Sequence, residues 1–447
     1  MKLLFVLPEY GPDARGGIAT FYRHLIPGLL RSGCAVDVCV TGHPRSVAEM
    51  RDQPDVRVIG ITSADRERAA SRFPHLAALP GIAGLLADAF AAWEACDHGH
   101  GYDVVEATDW NQLYVPWLVD NSGPPVVVQL HGSNGQLDYY DPLEENALGG
   151  TVTRMLETAL LTRADELHSG GSGNAMEWSR LLGRPVEHIS PAWRANEGPA
   201  ESMPDWADQD FGLVVGRIQR WKGPELLCQA VGLLRERAPR IFWVGRDHPF
   251  RRLDRSLSDY LGEEYPGVWG RGITPVGETS RSVTAALQAK ASFVVVPSTW
   301  DVFNYTAAEA MSAAKVVICS EGAGAAQLIE QGKNGFRFPA GDAACLAELL
   351  TTASSLSPME RDTIGQRARE TVSRELDAER IAARHIDRFA RLIAAPRNVR
   401  SQHPWIEGMF AASDTRPPFA FLETLPLREI MRHAARRSIE RLRSGLR

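Results

Sequence analysis

Two carboxylates, a guanidinium, an ammonium and an imidazole mark where this chain can do chemistry. Asp301 and Glu309 lie eight residues apart within Pro297 to Met311, PSTWDVFNYTAAEAM. The apolar run Phe293 to Val296 comes before this stretch, and Ala-rich helix formers follow. That is the pattern of a buried strand passing through a loop into a helix. One carboxylate then sits at the loop tip and the other about one to two turns into the helix. Both can face a ligand beyond the carboxyl end of the strand, where open α/β sheets bind ligands. Carboxylates accept hydrogen bonds from hydroxyls, and sugars and riboses consist largely of hydroxyls. Asp301 and Asn304 also suit a helix N-cap, a role compatible with ligand binding if each oxygen serves one partner.

The cations lie upstream. In Val214 to Gly223, VVGRIQRWKG, Gly216 permits a tight turn after a strand, and Arg217 and Lys222 project near its carboxyl end. Fixed cations there bind an anion through charge-assisted hydrogen bonds of ~1.5–3 kcal/mol each. A solvated basic turn accounts for the two residues equally well on their own; the downstream Asp301 and Glu309 favour function. His131 closes the strand-like VVVQL and precedes Gly132-Ser133. A His at that end of a strand points toward a cleft, and a structural His satisfied by backbone is the competing reading. Gly16-Gly17 precedes a predicted helix, whose N-terminal N–H groups attract anions. An ordinary glycine turn explains that doublet as well.

These motifs resemble those of retaining GT-B glycosyltransferases, in particular glycosyltransferase family 4. Asp301 to Glu309 is similar to the family's acid-x7-acid signature, with Phe303 and Glu309-Ala310-Met311 matching. The chain departs from the usual Glu-Gly-Phe-Gly in having Asp301-Val302-Phe303-Asn304. Gly216-Arg217 and Lys222-Gly223 resemble the family's Gly-Arg-x4-Lys-Gly motif. The resemblance covers roughly residues 1–395 and is more specific in the second half. It implies a donor diphosphate on Arg217 and Lys222, whose charges stabilise the departing group. It implies donor-sugar hydroxyls on Asp301 and His131, and ribose hydroxyls on Glu309. Asn304 would add a sugar contact or cap the helix. Gly16 and Gly17 would approach the diphosphate or the acceptor, and Ile273 to Val276 would cradle the base. No cofactor and no metal are expected, the nucleoside diphosphate sugar being a substrate. Front-face attack is implied, with the departing phosphate oxygen taking the acceptor proton.

The elements that must position these residues read as α/β. At 447 residues the chain suits two domains plus extras. Hydrophobic content of 44% and charged content of 23% are those of a globular protein. The net charge of −6 argues against general nucleic-acid binding. Six cysteines are scattered without metal spacing, and a reduced, cytosolic setting is the simplest expectation. MKLLFVLPEY fits a first buried strand better than a signal peptide, and no apolar run is long enough to span a membrane. Strand and helix patterns alternate through both halves, which implies parallel sheets covered on both faces. That pattern matches the GT-B plan that the resemblance implies: two Rossmann-like doubly wound domains facing a cleft, with a C-terminal helical tail. The boundaries are 1–190 for the acceptor-side domain, 191–210 for a linker and 211–376 for the nucleotide-sugar domain. A closing helix is expected over 377–395, with Asp377 as a possible N-cap; the resemblance implies that it returns toward the first domain, and 396–447 form a basic extension. Pro27 weakens the case for one unbroken helix over 18–31.

Weaker patterns carry less. Gly322-Ala323-Gly324 superficially resembles a dinucleotide loop, lacks the ribose acid, and is expected to pack near the donor phosphate, with Gln327 in place of a common Glu. Asp208-x-Asp210 precedes a strand and is discounted as a metal motif. His168 to Gly173 lacks the spacing of a nucleophile elbow. Leu427 to Arg447 holds seven Arg against two Glu, with Met431, Ala435, Ile439, Leu442 and Leu446 at helical spacing. It can dock on its own protein, lie on anionic lipid, bind a partner or stay solvated. The resemblance thus implies a retaining transferase moving a sugar from a nucleotide-sugar donor to a sugar, lipid-linked or small-molecule acceptor, without nucleic acid. It would be cytoplasmic, with peripheral contact to anionic membrane through 427–447 left open. A GT-B epimerase, a phosphorylase or a non-catalytic sugar-nucleotide module is the alternative.

Overall fold

The computed structural model describes residues 1–11, 14, 16–42, 55–76, 79–141, 148–194, 203–250, 255–396, 408–410, 422–423 and 425–444. The first sheet contains β1 (Lys2–Leu7), β2 (Ala35–Val40), β3 (Val56–Gly60), β4 (Val104–Thr108), β5 (Val126–Leu130), β6 (Glu166–Ser169) and β7 (Glu187–His188). Its order is β3-β2-β1-β4-β5-β6-β7, and every pairing is parallel. The second contains β8 (Gly212–Val215), β9 (Ile241–Val244), β10 (Ile273–Gly277), β11 (Phe293–Val296), β12 (Val316–Ser320) and β13 (Phe336–Phe338). It runs β10-β9-β8-β11-β12-β13, again all parallel. Val126–Leu130 and Phe293–Val296 are buried at every position, which is why they read as apolar runs rather than alternating patterns.

Strand order reverses at β1/β4 in the first sheet and at β8/β11 in the second. Loops leaving the two strands of such a junction splay apart and leave a crevice. The crevices of the two domains face each other.

The helix Gly17–Arg31 is continuous despite Pro27, and it buries Phe21, Tyr22, Leu25 and Leu29 on the first sheet. Helix Ala378–Ala394 returns to the first domain, capped by Asp377, whose side chain accepts from the Arg380 N–H at 2.8 Å. Its Ile381, Ala382 and Phe389 join the core that contains Leu3, Phe5 and Leu25. Full burial of an Ile or Phe contributes roughly 1.5–3 kcal/mol. Gly28 makes the close crossing feasible, since a Cβ there would lie 2.7 Å from the Ala382 Cβ. Helix Leu427–Ser444 leaves Leu427 74%, Met431 64%, Ile439 50% and Leu442 68% exposed, so among the described residues it is solvated rather than docked. No helix of the described residues is long and apolar enough to cross a membrane. All six cysteines are free.

Candidate active site

A cleft of about 940 Å³ separates the sheets, lined from the first domain by Glu9, Gly16, Gly17 and His131, and from the second by Arg217, Lys222, Asp301 and Glu309. Lys222 and Asp301, 79 positions apart in the chain, form an ion pair at 2.5 Å from Nζ to Oδ2. The Trp221-Lys222-Gly223 turn lies directly on the Pro297 turn: Thr299 N–H donates to the Trp221 carbonyl at 2.9 Å. Gly223 has φ 78°, and a Cβ on it would come within 1.9 Å of the Pro297 carbonyl oxygen. Only glycine permits both that backbone angle and that approach. The Lys-Gly pair therefore reads as one cation and the spacer that seats it beside the acid.

Asn304 occupies φ 76° at the start of helix Tyr305–Ser312 and makes no capping bond. The capping role open to it in the sequence is not taken. Its amide instead donates to Asp301 Oδ2 at 3.0 Å and Ser298 Oγ at 3.3 Å. Those bonds hold the Asp301 carboxylate against Lys222 and offset a backbone cost of ~1–3 kcal/mol. Asp301 does not cap the helix either. Phe303 is core, edge-on to Tyr305 with ring centroids 5.4 Å apart, and it anchors the loop.

Arg217 is exposed in the cleft, and its guanidinium makes no hydrogen bond to a described residue. Partial burial weakens its hold on the proton, while the carboxylates of Glu9, Asp301 and Asp141 strengthen it. Glu309 accepts from Gln288 Nε2 at 3.1 Å. Burial pushes its carboxyl above the usual range, against the opposing effects of Gln288 and Arg281. His131 borders the cleft edge-on to Phe21 and Tyr22, at 4.9 and 5.7 Å between centroids. Burial pushes it down to about 3, so it is a neutral imidazole at physiological pH. Its Nε2 is buried and has no partner among the described residues. Asp109 fixes the backbone beside it, accepting from the N–H groups of His131 at 2.8 Å and Gly132 at 3.2 Å.

Gly16 and Gly17 open their helix at the cleft, and an anion already sits at Gly16. The Glu9 carboxylate lies where a Gly16 Cβ would be, 1.6 Å from Oε1, and accepts from the Gly16 and Ala19 N–H groups. Val276 lies in edge strand β10, packed on the core. It is not a cleft residue; the chain enters the cleft at Glu278 and Thr279. Gly322 and Gly324 serve close packing, since Cβ atoms there would meet the Thr299 and Val302 carbonyl oxygens at 2.4 and 2.1 Å. Gln327 spans the domains, accepting from Ser172 N–H at 3.4 Å and meeting His188 Nε2 at 3.4 Å. Asp208 pairs with Lys290 at 2.7 Å, outside the cleft.

Sequence reasoning missed the groups that hold the cleft together. Trp300 stacks on Tyr140 across the domains at 4.7 Å and 9°, and meets Trp221 at 5.8 Å. Arg281 donates to the Ala14 carbonyl at 2.9 Å, also across the domains. Trp300 adjoins Asp301, a signal that was available; its partner 160 residues earlier was not.

Two facing parallel sheets with charged side chains gathered at their switch points define a GT-B protein. The sequence matches the Glycosyl transferase 4-like domain over residues 16–192 and Glycosyl transferases group 1 over 211–355, together more than half of the chain. The chain belongs to the group 1 glycosyltransferases. It is 25% identical over 358 residues to a D-inositol 3-phosphate glycosyltransferase of Jonesia denitrificans, covering 74% of this chain and 81% of that protein. It is 24% identical to a glycogen synthase of Mycobacterium tuberculosis, covering 90% and 97%. Sucrose-phosphate synthase from Thermosynechococcus elongatus superposes with a TM-score of 0.69 at 23% identity, covering 89% of this chain and all of that one. The Anabaena protein HepE, in complex with UDP and glucose, gives 0.64 at 18%, covering 88% and 100%.

Proposed function

We propose that this glycosyltransferase moves a sugar from a nucleoside diphosphate donor to an acceptor hydroxyl with retention at the anomeric carbon, without a cofactor or a catalytic metal. The observation that carries the reading is the Lys222–Asp301 pair at 2.5 Å beside Arg217, whose guanidinium makes no hydrogen bond to a described residue. Two cations and an acid stand within one pocket, able to divide diphosphate from sugar. Arg217 and Lys222 neutralise charge gathering on the leaving diphosphate. Glu309 takes ribose hydroxyls, and Asp301 takes a sugar hydroxyl. His131, neutral and with Nε2 unpartnered among the described residues, hydrogen-bonds the donor sugar rather than serving as a cation. Asp301 is committed to Lys222 and Asn304, which disfavours it as a nucleophile and favours front-face attack. The UDP held by the HepE structure makes UDP the first nucleotide to test. The acceptor is a sugar, a lipid-linked molecule or a small molecule, and the exposed basic helix Leu427–Ser444 would bring the enzyme to anionic lipid.

The test is release of nucleoside diphosphate from a donor panel, with the product's anomeric configuration read by NMR. Inversion would overturn the retaining assignment. Acceleration by added Mg²⁺ or Mn²⁺ would overturn the metal-free one. Donor binding without release, with or without cell-envelope extracts, would favour a non-catalytic module.

A further inference from the structure

Behind the first-domain wall of the cleft lies a buried polar cluster that the transfer does not use. Glu106 on β4, His168 on β6 and His385 on the closing helix Ala378–Ala394 are 1%, 0% and 0% exposed. One ligand atom from each lies within 4.8 Å of the other two. Four of their polar atoms have no hydrogen-bond partner among the described residues: Glu106 Oε2, His168 Nδ1 and both ring nitrogens of His385. Buried polar atoms left in that state are costly, so something must meet them.

The protonation pattern indicates what that is. His168 Nε2 lies 2.9 Å from Glu166 Oε2, and Glu166 is itself held by Arg388 at 2.9 Å. A carboxylate on Nε2 fixes the proton there and leaves Nδ1 a bare lone pair, buried and without a partner among the described residues. Histidines that bind metals are oriented in this way, with the distal N–H given to a carboxylate. The Glu106 Oε1 atom is occupied by the Tyr22 hydroxyl at 2.7 Å, which leaves Oε2 facing the cluster. Neutral His385 offers at most one N–H. The three side chains offer lone pairs to a ligand, and none of them is a Lys or Arg.

The geometry points to a structural divalent-metal site, zinc by preference, formed by Glu106, His168 and His385 and pinning the closing helix to the first sheet. Two imidazoles and one carboxylate form a donor set that zinc accepts, with a fourth position for water or an amide oxygen. Gln129 stands on the same sheet face, in register with His168, and its side-chain atoms are also unpartnered among the described residues. A tetrahedral zinc with bonds near 2.0–2.1 Å spaces its ligands about 3.3 Å apart, so rotations of about an ångström close the cluster. Phe21 lies between this cluster and the cleft, with its ring 4.9 Å from His131 and 6.2 Å from His385. The metal is thus separate from the reacting centre, and Glu166 is a positioning residue for His168.

A buried water is the competing occupant, and it makes the opposite prediction for Glu106→Gln. Tag-free protein expressed in zinc-replete medium is dialysed, and its metal is measured by plasma mass spectrometry beside Glu106→Gln, His385→Gln and Glu166→Gln. About one zinc per chain is expected, tenfold less or lower in the first two variants, and a 10–100-fold weaker affinity in the third. Chelator should lower the melting temperature of the wild type and leave those of Glu106→Gln and His385→Gln unchanged. Cobalt substitution should give visible tetrahedral bands that Glu106→Gln lacks. Circular dichroism and UDP binding report whether each variant is folded. Two results overturn the site: wild type with less than about a tenth of an equivalent of any metal and a Glu106→Gln variant at least as stable, or full zinc retention by both ligand variants.

Discussion

Replacing Lys222 with Met tests the core of the active-site argument because it removes the charge and keeps most of the apolar stem. The ammonium lies 4.0 Å from the Trp221 ring centroid and 2.5 Å from Asp301 Oδ2, with side-chain exposures of 17% and 12% for the pair. If Lys222 merely pairs with Asp301, its loss costs stability and little else. The pair borders an open cleft, and Asp301 keeps its bond from Asn304. The structural penalty is therefore near ~1–2 kcal/mol, less than the 3–5 expected for a fully buried pair. If Lys222 holds the departing diphosphate, ground-state binding weakens by ~1.5–3 kcal/mol. Loss of a preorganised group facing developing charge lowers kcat a further ~10²–10³-fold. Diphosphate release, donor Kd and melting temperature are measured for Lys222→Met, Asp301→Asn and the double variant. The expected outcome is a kcat/KM loss of at least about 10²-fold that Asp301→Asn does not rescue. Turnover within about fivefold of wild type, or a double variant that recovers both stability and turnover, would refute the reasoning.

Trp300→Ala removes the stack on Tyr140, worth ~0.5–1.5 kcal/mol beyond burial. We expect donor KM to rise about 2–10-fold with kcat less affected, and scattering to show a more open free enzyme; an unchanged KM and shape would contradict the clamp. Asp109 and Glu157 are both pushed up to about 7, in each case chiefly by burial. Raised carboxyl pKa values stabilise the fold fully below the unfolded values of 3.8 and 4.5, and that contribution is lost as pH rises through about 7. Between about pH 4 and 7 the wild type should therefore lose up to ~3 kcal/mol more stability than Glu157→Gln; superimposable pH profiles for the two would contradict this. Truncation after residue 426 should leave diphosphate release in solution unchanged and abolish retention on anionic vesicles. Equal vesicle binding by the truncated chain would remove the membrane role from that helix.

What the sequence could reveal follows from the range of each interaction. The buried strands β1, β5, β8 and β11 were legible because parallel strands covered on both faces must be apolar throughout. Strands β7 and β13 have two and three residues, too short to show a period, and neither was anticipated. Arg217, Lys222, Asp301 and Glu309 could be singled out because each lies just beyond a legible strand, where chain direction alone carries a side chain toward the cleft. Residues that act across the chain left no such trace. Glu9 reads as the end of a strand until the Gly16 backbone is seen receiving its carboxylate. Asn304 reads as a cap until its amide is found on Asp301. Tyr140 and Trp300, or Glu106, His168 and His385, come together only when both sheets and the returning helix are in place. The same distinction separates the two kinds of site in this molecule. The cleft is assembled from strand ends, so its chemistry survives in local motifs. The buried cluster is assembled from strand middles and a helix face, where sequence shows only polar residues out of place in apolar elements. A Glu in VVEAT and a His in ELHS were that signal. Burial without partners is the physical reason to look for a ligand there.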